Sequence, residues 1–260
     1  IASCPGVDIV AIKEALRAMS QPNQSLQTAA LMARVAGLAY LCYTLAGFYM
    51  NFGPVPGLRV FVEGDPSADQ LEFMFRTSLA TEALLYTFVA ISAAAMYATL
   101  REVSFGIAAI AAFTRLIEAA MGGAFIAFKY AAFAAATNET LLTGFSAAER
   151  AGLASFIAHL YGYSVFFLLI PMAAGGMLFF GLFFRARFLP RWLAAWGVFT
   201  YVVIGSVATL VLVFPDLRND IMLFFLPGAV FELVVAVWLL FLGINTQYWQ
   251  KSIDSKQVAS

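Results

Sequence analysis

The sequence predicts an all-α, polytopic membrane protein built as a bundle of six transmembrane helices. Of its 260 residues, 62% are hydrophobic and only 12% are charged, and the mean hydropathy is +0.86. A soluble domain carries roughly 25% charged residues, so this chain has too little charge to cover a water-exposed surface. Six apolar runs, each near the roughly 20 residues that cross a hydrocarbon core, set the number of spans.

These runs divide the chain into three parts. We predict an N-terminal cytoplasmic or interfacial segment at 1–27, a six-helix transmembrane domain at 28–247 and a cytoplasmic tail at 248–260. The first segment contains either a short amphipathic surface helix over 7–20 or a frayed terminus. The six spans lie at about 29–52, 77–100, 105–129, 152–184, 192–214 and 222–246.

Two helix-start signals lie outside the apolar runs. Asp65-Pro66 is typical of an N-cap followed by proline in the first turn, and Ser146-Ala-Ala-Glu149 is typical of a capping box. Helices two and four are therefore expected to extend beyond the membrane on the outer side. Helix four would run from about 147 to 187, on the order of 60 Å, with Pro171 as a site for a kink.

Basic residues favour one orientation of the bundle. The segments on one side hold eight Lys and Arg, and those on the other side hold five, which places both termini in the cytoplasm. The eight are Lys13, Arg17, Arg101, Arg185, Arg187, Arg191, Lys251 and Lys256; the five are Arg59, Arg76, Lys129, Arg150 and Arg218. A bacterial inner membrane is the expected location.

Beyond Arg34 near the inner start of helix one, five ionisable residues fall inside the apolar runs: Glu82, Arg115, Glu118, His159 and Glu232. A charge inside a bilayer costs about 2.5–3.5 kcal/mol on insertion scales and usually faces the bundle interior. Arg115 and Glu118 are three residues apart and share a helix face. By depth, the five side chains could converge on one buried polar cluster.

This cluster has a structural and a functional interpretation. The structural one is an Arg–Glu network that holds four helices in register, and it is favoured because three acids, one Arg and one His can satisfy each other. The functional one is a proton or ligand site. His159 is the only candidate axial ligand for a haem or chlorophyll, but a lone helical His is more often a hydrogen-bonded interior residue. With one His and two Cys, we predict no metal site and no cofactor.

Small residues recur within the predicted helices and indicate close helix packing. They are Ala33 with Gly37, Ala119 with Gly123, and the run Ala173-Ala-Gly-Gly176. Pro227-Gly228 near the start of helix six could either break that helix or make a simple kink at its first turn.

A series of short motifs runs along the chain in a fixed order and spacing. They are Arg34-Val-Ala-Gly37, Arg115-Leu-Ile-Glu-Ala119, Ser146-Ala-Ala-Glu149, His159-x-Tyr161-Gly162-Tyr163, Phe188-Leu-Pro-Arg191, and Glu232 through Trp238 to Gly243-Ile-Asn245. In these motifs the chain resembles, from Arg34 to Asn245, a bacterial membrane family known as domain of unknown function 4386. The resemblance implies a multi-helix inner-membrane protein and no particular activity.

The sequence favours a non-catalytic accessory or structural subunit of a larger membrane complex. It contains no nucleophile elbow, Walker loop, HExxH or GxGxxG motif, so no catalytic residue is predicted. The alternative is a small-molecule or proton-coupled carrier that uses the buried Arg/Glu/His cluster; an intramembrane enzyme acting on lipid has less support. The expected partners are the lipid bilayer and other membrane subunits. A net charge of zero gives no reason to expect nucleic acid.

Overall fold

The computed structural model describes residues 9–55, 57–62, 68–218 and 222–257, and every regular element in these ranges is helical. The α-helices are α1 Ile9–Phe52, α2 Leu58–Val62, α3 Ala68–Leu100, α4 Phe105–Thr137, α5 Ala147–Ala186, α6 Arg191–Val213, α7 Leu226–Val237 and α8 Thr246–Gln257. A π-helix, Trp238–Leu242, continues α7, and 3₁₀ turns lie at Glu139–Leu142, Pro215–Leu217 and Met222–Phe225.

Five of these helices contain a segment long and apolar enough to cross a membrane, namely α1, α3, α4, α5 and α6. A sixth span is formed if Leu226–Leu242 and Thr246–Ser252, which are bent by 83°, count as one. The prediction of an all-α polytopic membrane protein is therefore confirmed, with five spans, or six when the bent pair is counted as one.

The bundle has two ends that differ in character. Short connections join antiparallel neighbours, so the turns at 101–104, 187–190 and 243–245 lie together at one end, here the arginine end. The segments at 138–146 and 214–218 lie at the other, here the capping-box end. This alternation fixes the depth of every side chain discussed below.

The first helix is longer than the sequence suggested. The helix predicted over 7–20 is the first part of α1, which runs unbroken from Ile9 to Phe52. Further along, Ala33 is buried, and a Cβ added to Gly37 would lie 2.4 Å from the backbone nitrogen of Leu240. The Ala33–Gly37 pair is thus a packing contact between α1 and the π-helix.

The capping box and the long fourth span are confirmed. Glu149 N–H donates to Ser146 Oγ at 3.3 Å, and Ser146 N–H donates to Glu149 Oε2 at 2.7 Å. From there α5 continues for 40 residues across Pro171, a length of about 60 Å. The Asp65-Pro66 signal predicted for helix two lies outside the described residues.

The sixth span departs from the prediction of a helix over 222–246. It begins as a 3₁₀ turn, becomes α7, widens into the π-helix and stops at Leu242. Gly243 has φ +67°, a conformation that favours glycine, and α8 then turns away. Pro227 lies in the first turn of α7, where a missing N–H is tolerated, so it does not break the helix.

The break after Leu242 is held in place by Asn245. Its backbone N–H donates to the Phe188 carbonyl at 2.8 Å, which ties the break to the turn between α5 and α6. Its side-chain oxygen accepts from the N–H groups of Gln247 and Tyr248 and so caps α8.

Candidate functional site

The ionisable residues predicted to form one cluster are distributed over three places. Arg115, Glu118 and Glu232 lie together at mid-depth, Glu82 belongs to a second cluster, and His159 is exposed. We call the first group, with its tyrosine neighbours Tyr40, Tyr43 and Tyr201, the central cluster. The second group, formed by Ser78, Glu82, Lys129 and Tyr161, is the lysine cluster.

Arg115 and Glu118 form a buried ion pair on α4. Arg115 Nη1 lies 2.7 Å from Glu118 Oε2, and their side chains are 5% and 4% exposed. Although these two atoms are in contact, they lack the alignment of a hydrogen bond, and neither atom has another hydrogen-bond partner. Arg115 Nη2 donates to the Tyr43 hydroxyl at a long 3.4 Å. The predicted pairing is confirmed, and it leaves hydrogen-bonding capacity unused.

Glu232 reaches the same cluster from α7 but makes no ion pair. Its Oε1 accepts a hydrogen bond from the Tyr201 hydroxyl at 3.2 Å, and that hydroxyl is also hydrogen-bonded to the Tyr40 hydroxyl. Within the described part of the chain, no Lys, Arg or His nitrogen lies within 4 Å of the Glu232 carboxyl. The tyrosines therefore take the place that a second cation would occupy.

The tyrosines of the central cluster were missed by reasoning that looked only for ionisable side chains within apolar runs. Tyr40 and Tyr43 are three residues apart on α1 and so share a face, which was a usable signal. Tyr201 gave no comparable signal, because only the packing of α6 against α1 brings its hydroxyl to Tyr40.

The lysine cluster is compact and electrically balanced. Lys129 Nζ lies 3.0 Å from Glu82 Oε2 and 3.3 Å from Ser78 Oγ, and the Tyr161 hydroxyl donates to Glu82 Oε1 at 2.8 Å. Lys129 is 5% exposed, so the sequence-based placement of Lys129 in an outer loop was wrong. The apolar run seemed to stop at 129, but the alanine-rich residues 131–136 continue α4 to Thr137.

His159 does not join either cluster. It is exposed on α5, where its ring centroid lies 5.0 Å from that of Tyr163. Tyr161, which contacts Glu82, is two residues further on, a rotation of roughly 200° around the helix. The predicted membership of His159 in the buried cluster is therefore wrong, since its side chain points to the other side of α5.

Two glycines bring α5 against the central cluster. A Cβ added to Gly175 would lie 2.8 Å from Arg115 Cγ, and one added to Gly176 would lie 2.5 Å from ring carbons of Tyr201. The predicted small-residue run thus packs directly against Arg115 of the ion pair and against Tyr201. By contrast, a Cβ on Gly123 would meet no described atom within 4 Å, so this glycine makes no close helix contact in the part of the chain that the structure describes.

A cavity of about 270 Å³ lies beside the central cluster. Glu118, Glu232, Tyr43 and Thr44 line its deep part, and the Thr44 hydroxyl is buried without a hydrogen-bond partner. The lining continues along α1 to Phe52, about 13 Å from Tyr43 at 1.5 Å per residue. The cavity therefore extends from mid-depth towards the capping-box end.

Towards the arginine end, the central cluster is closed by packed side chains. The Phe180 ring stacks on Tyr201 at 5.8 Å between centroids and meets Phe231 edge-on at 5.0 Å. Beyond this layer, Val235 and Leu239 are fully buried. In the part of the chain that the structure describes, the cavity that reaches the two carboxyl groups therefore extends towards the capping-box end and is not lined by this aromatic layer.

The family model described as domain of unknown function 4386 matches residues 35–243. The chain belongs to this family. Both polar clusters, the cavity and the two glycines of α5 lie within the matched residues, which agrees with the resemblance seen in the sequence motifs. No curated protein and no solved structure matches the chain.

Proposed function

We propose that this member of the family is a carrier that binds a small organic cation at Glu232 in exchange for a proton. The observation that carries the proposal is the charge balance of the central cluster. It contains two carboxyl groups, Glu118 and Glu232, and one arginine, Arg115, and a cavity reaches both carboxyl groups.

The charge balance leaves Glu232 available to bind a cation. Arg115 is in contact with Glu118, and arginine keeps its charge in proteins, so this pair is neutral as a unit. An unpaired carboxylate inside a membrane costs about 2.5–3.5 kcal/mol on insertion scales. Glu232 therefore carries either a proton or a bound cation, and the two compete for one carboxyl group.

The lining of the cavity suits a compact organic cation. Aromatic rings from Tyr43, Phe48, Phe52 and Tyr86 surround the space, and ring faces attract ammonium groups. Glu232, once it has lost its proton, would repel an anionic substrate. The volume of about 270 Å³ is at or just below the usual range for small-molecule sites, about 300–1,000 Å³, which favours a small amine or quaternary ammonium ion.

One-sided access supports a carrier rather than an open channel. The cavity faces the capping-box end, while Phe180, Tyr201 and Phe231 close the other side. Alternating access requires this aromatic layer to open as the cavity closes towards the capping-box end. Neutralisation of Glu232 by either ligand removes a charge from the interior and lowers the barrier to that change.

Flux measurements on the reconstituted protein test the proposal. Liposomes containing the purified chain and a trapped pH indicator receive a gradient of tetraethylammonium, which cannot cross the bilayer as a neutral amine. We expect proton movement opposite to the tetraethylammonium gradient for the wild type and a loss of at least tenfold in rate for Glu232→Gln.

Glu139→Gln is the matched control for this experiment. It removes the same charge from a carboxyl group that is 78% exposed at the capping-box end. Its flux should equal that of the wild type. Equal flux in wild-type and Glu232→Gln liposomes, or no flux above that of protein-free liposomes, would contradict the proposal.

An accessory subunit is the second candidate function. A groove of about 540 Å³ between α3 and α4 is lined largely by small residues, including Ala83, Ala90, Ala119 and Gly123. Such a surface allows a transmembrane helix of another chain to approach closely. Purification from native membranes in mild detergent tests this role: a stoichiometric partner that is retained through size exclusion supports it, and a chain that migrates alone contradicts it.

A further inference from the structure

Two adjoining cavities lie at the arginine end, far from the central cluster. One, of about 660 Å³, is lined by Arg187, Arg191, Trp238 and Tyr248 among others; the second, of about 530 Å³, adds Lys251. They share Arg187 and Tyr248 as a common wall. No Asp or Glu occurs among the lining residues of either cavity, so the combined space is basic.

Among the acids whose side chains the structure describes, none pairs with the cations around these cavities. Arg185, Arg187, Arg191 and Lys251 make no ion pair with any acid whose side chain the structure describes. Arg187 Cζ and Lys251 Nζ both lie over the Tyr248 ring, at 5.8 and 5.7 Å from its centroid. Like charges that are held against one ring repel each other, and an anion bound beside the ring would offset that repulsion.

The backbone at this place also favours an anion. α6 begins at Arg191 behind Pro190, and no side chain caps its first N–H groups. A helix N-terminus of this kind carries partial positive charge and donors that suit phosphate. Because Pro190 and Arg191 line the larger cavity, these donors add to the field of the arginines.

An apolar wall continues from the basic space onto the outer surface of the bundle. Trp238 and Leu242 line the larger cavity, and Leu242 is 64% exposed on the side of the sixth span. The break at Gly243 brings this apolar wall directly next to Arg187 and Arg191. A free phosphate would use only the basic part of the site, whereas a phospholipid would use both parts.

We infer that the space between Arg187, Arg191 and Lys251 binds the headgroup phosphate of an anionic phospholipid, with an acyl chain along Trp238 and Leu242. Basic cavities between transmembrane helices are suited to such headgroups. The site does not depend on the proposed carrier function, because it shares no residue with the central cluster.

Thermal stability of the detergent-purified chain tests the inference. Phosphatidylglycerol, phosphatidylcholine and inorganic phosphate are each added at equal phosphate concentration. We expect a rise in Tm with phosphatidylglycerol that is several degrees larger than with either of the other two. An equal rise with inorganic phosphate or with phosphatidylcholine would overturn the assignment of an anionic lipid.

Variants show whether the effect belongs to this site. Arg187→Gln/Arg191→Gln should lose the phosphatidylglycerol shift. Lys251→Gln changes an exposed side chain and should reduce the shift, which provides a test even if the double variant does not fold. The matched control is Arg76→Gln/Arg150→Gln, which removes the same charge at the capping-box end. A shift that is undiminished in Lys251→Gln, or that falls equally in the control, would overturn the inference.

Discussion

Arg115 and Glu118 show what residue spacing alone can predict. Because they are three positions apart on a helix, the two side chains share one face, where they form an ion pair. The partners of Glu82 and Glu232 could not be predicted in this way, because Lys129 and Tyr201 reach them from other helices. Spacing predicts contacts within an element, whereas contacts between elements depend on rotations and depths that composition does not encode.

Arg115→Leu should destabilise the protein strongly. The change leaves Glu118 without its cation, whereas Glu232 has no ion pair to lose. Breaking one side of a buried pair costs roughly 3–5 kcal/mol in soluble proteins, with a smaller value expected in membranes. Replacing Arg115, Glu118 and Glu232 together by Leu should cost less, because no buried charge remains. The free energy of unfolding in mixed detergent measures the destabilisation of both variants.

Arg76→Leu is the control for this series, since its pair with Glu72 is exposed on both sides, at 54% and 40%, and should contribute at most about 1 kcal/mol. A structural role for the Arg115–Glu118 pair fails if Arg115→Leu unfolds at the same denaturant concentration as the parent.

Lys129→Met should likewise destabilise the protein, by leaving Glu82 buried beside Ser78 and Tyr161 only. Adding Glu82→Gln to it should recover part of the loss, because the double variant has no unpaired charge. A double-mutant cycle of unfolding free energies measures the coupling, which we expect to be about 0.5–3 kcal/mol. A coupling of zero would mean that the two side chains do not interact in the folded protein.

At the scale of elements, five of the six predicted spans and the start of α5 could be predicted, because apolar runs and the Ser146 capping box are local signals. The end of the sixth span could not. The π-helix and the break at Gly243 depend on the close approach of α1 at Gly37 and on the Asn245–Phe188 hydrogen bond, both of which are long-range contacts. The length of α4 was underestimated because Lys129 seemed to end its apolar run.

Gly176→Ala tests the packing of α5 against α6. The added methyl group would lie 2.5 Å from the Tyr201 ring, so the ring or the helix must shift, at a cost of about 1–3 kcal/mol. Gly123→Ala is the matched control: its Cβ meets open space, and alanine is the better helix former by about 1 kcal/mol. Thermal unfolding should rank Gly123→Ala at or above the wild type and Gly176→Ala below it, and the reverse order would contradict the described packing.

At the scale of the whole molecule, the two ends of the bundle differ in charge. Arg185, Arg187, Arg191 and Lys251 surround the cavities at one end, and the central cavity extends towards the other. The positive-inside rule predicts that the arginine end faces the cytoplasm. In that orientation the cavity beside Glu232 is accessible from outside the cell.

Single-cysteine labelling in intact cells tests this orientation. In a background with Cys4 and Cys42 replaced by Ser, a cysteine at exposed Thr143 should react with a membrane-impermeant maleimide. A cysteine at exposed Gln247 should react only after the cells are opened. Labelling of Gln247→Cys in intact cells, with Thr143→Cys protected, would contradict this prediction and indicate the opposite orientation.

The central claim is that a proton and an organic cation compete for Glu232, and proton release on binding tests it most directly. Tetraethylammonium is titrated into the detergent-purified chain in weakly buffered solution with a pH indicator. The account predicts saturable proton release for the wild type and for Glu139→Gln, and none for Glu232→Gln. Equal release from Glu232→Gln and the wild type, or binding by the wild type without any proton release, would contradict it.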